Sequence, residues 1–108
     1  RGSIDFTEKQ YEHIHQMFGL TDSALTQMIA LVEDVHHTVD VNKSFNIENE
    51  INNYRSQLKN QNIIDVNNKE YSYQMGIHYM DIIGECEKLG DYVVNVVEAH
   101  SDVKEKKA

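Results

Sequence analysis

The chain has no proline, a single cysteine and only five glycines in 108 residues. Without proline and with few glycines, long uninterrupted helices are favoured over a turn-rich β protein. One cysteine excludes an internal disulfide and suits a reducing compartment. Cys86 itself falls on an apolar stripe and reads as core packing. No apolar run reaches the roughly 18–20 residues that span a bilayer, and no signal-peptide pattern stands at the N-terminus. A basic excess is also missing. Eighteen acidic residues against ten basic ones give a formal charge of −8, so no basic stripe exists to neutralise nucleic-acid phosphates. An acidic surface suits cations or basic partners instead.

What is present is helical periodicity in a chain long enough for one domain. Residues 1–5 read as a tag or linker, 6–100 as the folded domain and 101–108 as a disordered, solvated tail ending in Lys104-Glu105-Lys106-Lys107. The first helix is expected from Phe6 to Val39, with Tyr11, Ile14, Phe18, Leu25, Met28, Val35 and Val39 on its stripe. The stripe resumes in phase after Gly19, which argues for one continuous or mildly kinked helix. A second helix is expected from Phe45 to Leu58, followed by an asparagine-rich connection over 59–68. Asn67 and Glu70 read as a capping box for a third helix over 68–100. In it Met75, Tyr79, Ile82, Cys86, Leu89 and Val93 alternate steps of four and three, the spacing of a buried seam. The fold expected is all-α, an up-down-up antiparallel three-helix bundle.

The third helix carries the most informative pattern. Glu87 and Asp91 stand four apart, so both carboxylates leave one face and can approach one cation. Gly90 sits between them in mid-helix at a cost of about 1 kcal/mol relative to alanine. Two local rules broken side by side mark a candidate functional site. Measured from Cys86 at about 100° per residue, Glu87 falls near ~100° and Asp91 near ~140°, beside the seam rather than opposite it. The second helix offers Glu48 and Asn52 at the same spacing, with Arg55 one turn on. Such oxygen donors suit a divalent or iron-type metal ion. The plainer alternative is solvated carboxylates, paired with Arg55 or Lys88 at up to about 1 kcal/mol each.

Glu12…His15 and Glu33…His36 match the Glu-x-x-His ligand pattern of di-iron bundles. Two such motifs on one helix lie about 31 Å apart, so an intrachain di-iron centre is not expected. No nucleophile–base set, glycine-rich phosphate loop or Cys-x-x-Cys pair occurs, and the chain does not read as an enzyme.

The run Glu87-Lys88-Leu89-Gly90-Asp91-Tyr92-Val93-Val94-Asn95-Val96-Val97-Glu98 resembles the third-helix signature of the PhoU family, roughly Glu-Arg-Ile-Gly-Asp-His-Ala-x-Asn-Ile-Ala-Glu. Ile47 to Tyr54 is similar to that family's second-helix pattern. With Tyr92 where the family often has His, the wording looks most like the PhoU-type cytoplasmic domain of bacterial Na⁺/phosphate cotransporters. The resemblance implies a three-helix bundle with a regulatory, non-enzymatic role in phosphate uptake. It implies metal sites from paired carboxylate motifs, here Glu87 with Asp91 and Glu48 with Asn52, where Asn52 replaces an Asp. It implies as partner the transmembrane part of a transporter or a second PhoU-like bundle. One copy where the family has two implies a fragment or a homodimer. The expected location is cytoplasmic, tethered to the inner membrane through the parent transporter. A free-standing PhoU-type regulator and a purely structural oligomerisation bundle are the alternatives.

Overall fold

A computed structural model describes residues 5–36 and 38–107, with side chains described through Ser101. The tag or linker expected at 1–5 lies, apart from Asp5, outside the described residues, as does His37. Three helices follow in order: α1 Glu8–Val32, α2 Asn42–Asn67 and α3 Tyr73–Lys107. The all-α, three-helix expectation holds.

Helix α1 starts on a reciprocal cap. Thr7 Oγ1 accepts from the Gln10 amide at 3.1 Å while Gln10 Oε1 accepts from the Thr7 amide at 2.9 Å. It runs unbroken through Gly19, as the in-phase stripe predicts. It stops at Val32, seven residues before the expected Val39. The Asp34 carboxylate is the cause: it accepts from the amides of Val39 at 2.7 Å and His36 at 3.3 Å, and from the Thr38 hydroxyl at 3.3 Å. These bonds offer the backbone a turn in place of another helical step. Val35, expected on the stripe, is 78 % exposed.

Helix α2 outruns its expected end at Leu58 and continues to Asn67. Asparagine has modest helix propensity, but this segment packs on α3, and Gln61 donates to Asp65 one turn on at 2.9 Å. The reversal uses Lys69 at φ 63°, in the left-handed region. Ser72, not Asn67, opens α3: its hydroxyl accepts from the Met75 amide at 3.1 Å. Where a disordered tail was expected, α3 continues through Lys107. No glycine or proline follows Gly90 to interrupt it.

Met17, Ile51, Ile83, Val93 and Val97 are the most deeply buried apolar side chains. Each contributes roughly 1.5–3 kcal/mol on burial. The seam of α3 is rotated relative to the expectation. Gly76, Tyr79, Ile83, Cys86, Gly90, Val93 and Val97 face inward, while Leu89 is 36 % exposed and Ile82 only partly buried. Two glycines thus occupy core positions against α2. A Cβ on Gly90 would stand 3.2 Å from Ile51 Cδ1, and one on Gly76 would stand 3.0 Å from both Asn62 Oδ1 and Val66 Cγ2. Ile51 opposite Gly90 and Val66 opposite Gly76 make α2 antiparallel to α3, so α1 and α3 run parallel. No helix among the described residues is long and apolar enough to cross a membrane.

Candidate functional site

The rotation of α3 carries its polar strip toward α2. Gly90 faces the core, so Glu87 one turn before it is half-buried on the α2 side and Asp91 is exposed beyond it. Glu48, Asn52 and Arg55 of α2 stand on the same side of the bundle. All four residues singled out from the sequence, Glu87, Asp91, Glu48 and Asn52, therefore belong to the α2/α3 shoulder.

Their polar atoms pair among themselves. Arg55 Nε lies 3.1 Å from Glu87 Oε1, with the two side chains 33 % and 26 % exposed. This is an ion pair rather than a directed hydrogen bond, since the Arg55 Nε proton is not aligned on an acceptor. Asn52 Nδ2 donates to Glu48 Oε2 along α2. Lys88 turns to Glu85 instead, at 2.9 Å on the open surface, and that hydrogen bond raises the Lys88 pKa. Arg55 is thus the cation of this strip.

The donor set as it stands does not fit a metal ion. Glu87 faces a guanidinium, one Glu48 oxygen is taken by an amide, and Asn52 supplies no charge. Among the described residues no group of three or more His, Cys, Asp or Glu side chains is arranged to hold a metal. Glu12, His15, Glu33 and His36 are all exposed, and Glu33 has passed the end of α1, so the two Glu-x-x-His motifs form no centre.

A second polar cluster lies at the end of the bundle where α1 begins and α2 ends. His13 Nδ1 and the Tyr79 hydroxyl are 2.9 Å apart, and the Tyr71 hydroxyl donates to Asn62 Oδ1 at 2.6 Å. The Tyr54 hydroxyl donates to Gln16 Oε1 nearby. Burial raises the pKa of all three phenols, and at Tyr79 the neighbouring Tyr71 and Tyr54, once ionised, and the Asp65 carboxylate add to it. The phenols remain protonated donors. Gln10, 3 % exposed, spends its carbonyl on the α1 cap; its amide nitrogen lowers the Tyr71 pKa without making an aligned hydrogen bond. His13, Tyr71, Tyr79, Asn62 and Gln10 line a cleft of about 530 Å³. Reading Tyr71 and Tyr79 as packing residues caught their rings and missed their hydroxyls. A tyrosine on a buried seam facing a histidine across helices was the available signal.

A family model described as PhoU domain matches residues 14–99. No curated protein and no solved structure matches the chain.

Proposed function

The chain belongs to the PhoU domain family, a regulatory family of phosphate transport, and on that premise we propose that it is the cytoplasmic regulatory domain of a Na⁺-dependent phosphate transporter. The observation that supports this reading is the α3 run Glu87 to Glu98, whose Lys88-Leu89-Gly90-Asp91-Tyr92 wording resembles the transporter-borne type. The domain acts without catalysis, by docking to the membrane part of the transporter or to a second PhoU-like bundle. The α2/α3 shoulder needs no metal for its shape in this reading, because Arg55 already neutralises Glu87.

The test begins with the reading frame that contains these residues. Several apolar spans of about 20 residues each are expected in the same frame. Radiolabelled phosphate uptake is then measured in cells carrying the parent protein with and without residues 6–100. Uptake that no longer adjusts to external phosphate when the domain is removed supports the proposal. A frame without apolar spans overturns the transporter-borne reading in favour of a free-standing regulator. Unchanged adjustment of uptake overturns the regulatory role itself.

A further inference from the structure

One face of the bundle is apolar and uncovered. On α1, Tyr11 is 50 %, Phe18 52 %, Ile29 50 % and Val32 47 % exposed; on α3, Leu89 is 36 % exposed. Scattered exposed apolar residues need no explanation, but these share one shoulder. Tyr11, Phe18 and Val32, with the partly buried Leu25, recur at heptad spacing along α1. Phe6 ties this flank to α3, its ring 5.6 Å from Tyr11 and 6.3 Å from Tyr79. On α3, Gly90 and Glu87 turn to α2, so Leu89, with the partly buried Ile82 and Val96 one heptad to either side, leaves on the other flank, toward α1, while Tyr92 stands on the outer edge one heptad beyond Glu85. The two rows border one groove, about 31 Å long between the levels of Tyr11 and Val32.

The rim of that groove has one sign of charge. Glu8 and Asp22 are exposed along the outer edge of α1 and Glu33 at its C-cap, and Asp81 and Glu85 along the outer edge of α3. The one Lys or Arg among the described residues of this rim is Lys88, already held by Glu85 at 2.9 Å. A second copy of the chain, at −8, would bring these carboxylates against carboxylates. An anionic lipid surface would meet the same repulsion.

We propose that the α1/α3 groove docks an amphipathic helix of a partner protein, apolar on one face and lysine- or arginine-rich on its flanks. Knobs from the apolar face pack between the α1 and α3 rows, and the basic flanks meet the acidic rims. A segment of about 20 residues matches the groove's length. The surface argument does not depend on the transporter reading; within it, the cytoplasmic flanks of membrane helices, rich in Lys and Arg, supply such a segment.

The test uses the full chain and two synthetic 21-residue helical peptides with the same leucine face, one flanked by lysines and one by glutamates. Fluorescence anisotropy is expected to give at least tenfold tighter binding to the lysine peptide, weakening as salt rises. Phe18→Glu and Leu89→Glu should each weaken it at least tenfold. Both changes add negative charge, so purely electrostatic attraction would tighten instead. Leu89→Ser, which adds no charge, should also weaken it, and Ile63→Glu on the opposite shoulder should not. Equal binding of both peptides, or loss with Ile63→Glu alone, overturns the proposal. So does a stable dimer in sedimentation that Phe18→Glu dissociates, which would give the face to a second copy. Failure here leaves the uptake test standing, and failure of that test leaves this one standing.

Discussion

Ile51 seats its Cδ1 methyl in the notch left by Gly90, 3.2 Å from where a Cβ would be. The mid-helix glycine that looked like a local defect is the condition for this close approach. Gly90→Ala gains about 1 kcal/mol of helix propensity and pushes against the far end of one flexible side chain. The net change in stability is expected within about 1 kcal/mol of zero. In an Ile51→Val background, where Cδ1 is gone, the same change should stabilise by up to about 1 kcal/mol. Urea denaturation of the four proteins measures both. Equal effects of Gly90→Ala in the two backgrounds would show that the notch is not what requires glycine.

Gly76 should behave differently. There a Cβ would stand 3.0 Å from Asn62 Oδ1 and 3.0 Å from Val66 Cγ2, and Asn62 is held by the Tyr71 hydroxyl. Gly76→Ala is expected to destabilise by roughly 1–3 kcal/mol, more than Gly90→Ala. Tyr71→Phe releases Asn62 and should soften the penalty. Equal tolerance of alanine at both glycines would count against a rigid Asn62.

Arg55 and Glu87 are partly exposed, so solvent screening limits their coupling to roughly 0.2–1 kcal/mol. A double-mutant cycle with Arg55→Ala and Glu87→Ala should return a value in that range, falling as salt is added. Protein purified without chelator is expected to carry less than one equivalent of manganese, iron, nickel or zinc, with no change in Asp91→Ala. A stoichiometric metal that Asp91→Ala removes would refute the assignment of Arg55 as the cation of the strip.

The buried phenols give the fold an alkaline limit. Burial raises the Tyr79 pKa above its ordinary value of 10.0. The folded state therefore disfavours the phenolate while the unfolded state does not. This stabilisation is fully present below about pH 10 and is lost as pH rises from there through the folded value. Tyr79→Phe removes one such group, so urea midpoints from about pH 8 to about pH 11 should fall less steeply than in the parent. At neutral pH the same variant should lose about 0.5–1.5 kcal/mol with the His13 contact. An unchanged alkaline slope would mean that Tyr54 and Tyr71 carry the limit alone.

The sequence pattern located the helices well and their ends poorly, for separable reasons. The apolar period finds a stripe but cannot see a side chain competing for backbone amides, as Asp34 does beyond α1. Propensity argued against a helix through the asparagines at 60–68, where packing on α3 overrides it. Tyr79, Cys86 and Val93 hold their places on the α3 seam, but Ile82 and Leu89 outweigh Ile83 and Gly90 on any hydrophobic count and draw the alternate positions one residue early. A glycine in a core position is invisible to such a count. At the site, Glu87, Asp91, Glu48 and Asn52 were found on one shoulder, and Arg55 was already a candidate partner. Charge pairing across two helices follows from their rotation about their axes, which spacing alone does not fix.

The two notches are two heptads apart on α3, and each is filled from α2. Together they work like indexing pins. Sliding or rolling of α3 against α2 would force Ile51, or Asn62 and Val66, out of their seats at once. A push on either helix is therefore transmitted to the other as a shared rigid displacement. Helix α1 meets the pair without a glycine notch and is seated instead by the buried Met17 and by the side-chain bonds His13–Tyr79 and Gln16–Tyr54. A partner seated between α1 and α3 would bear on those contacts rather than on the notches.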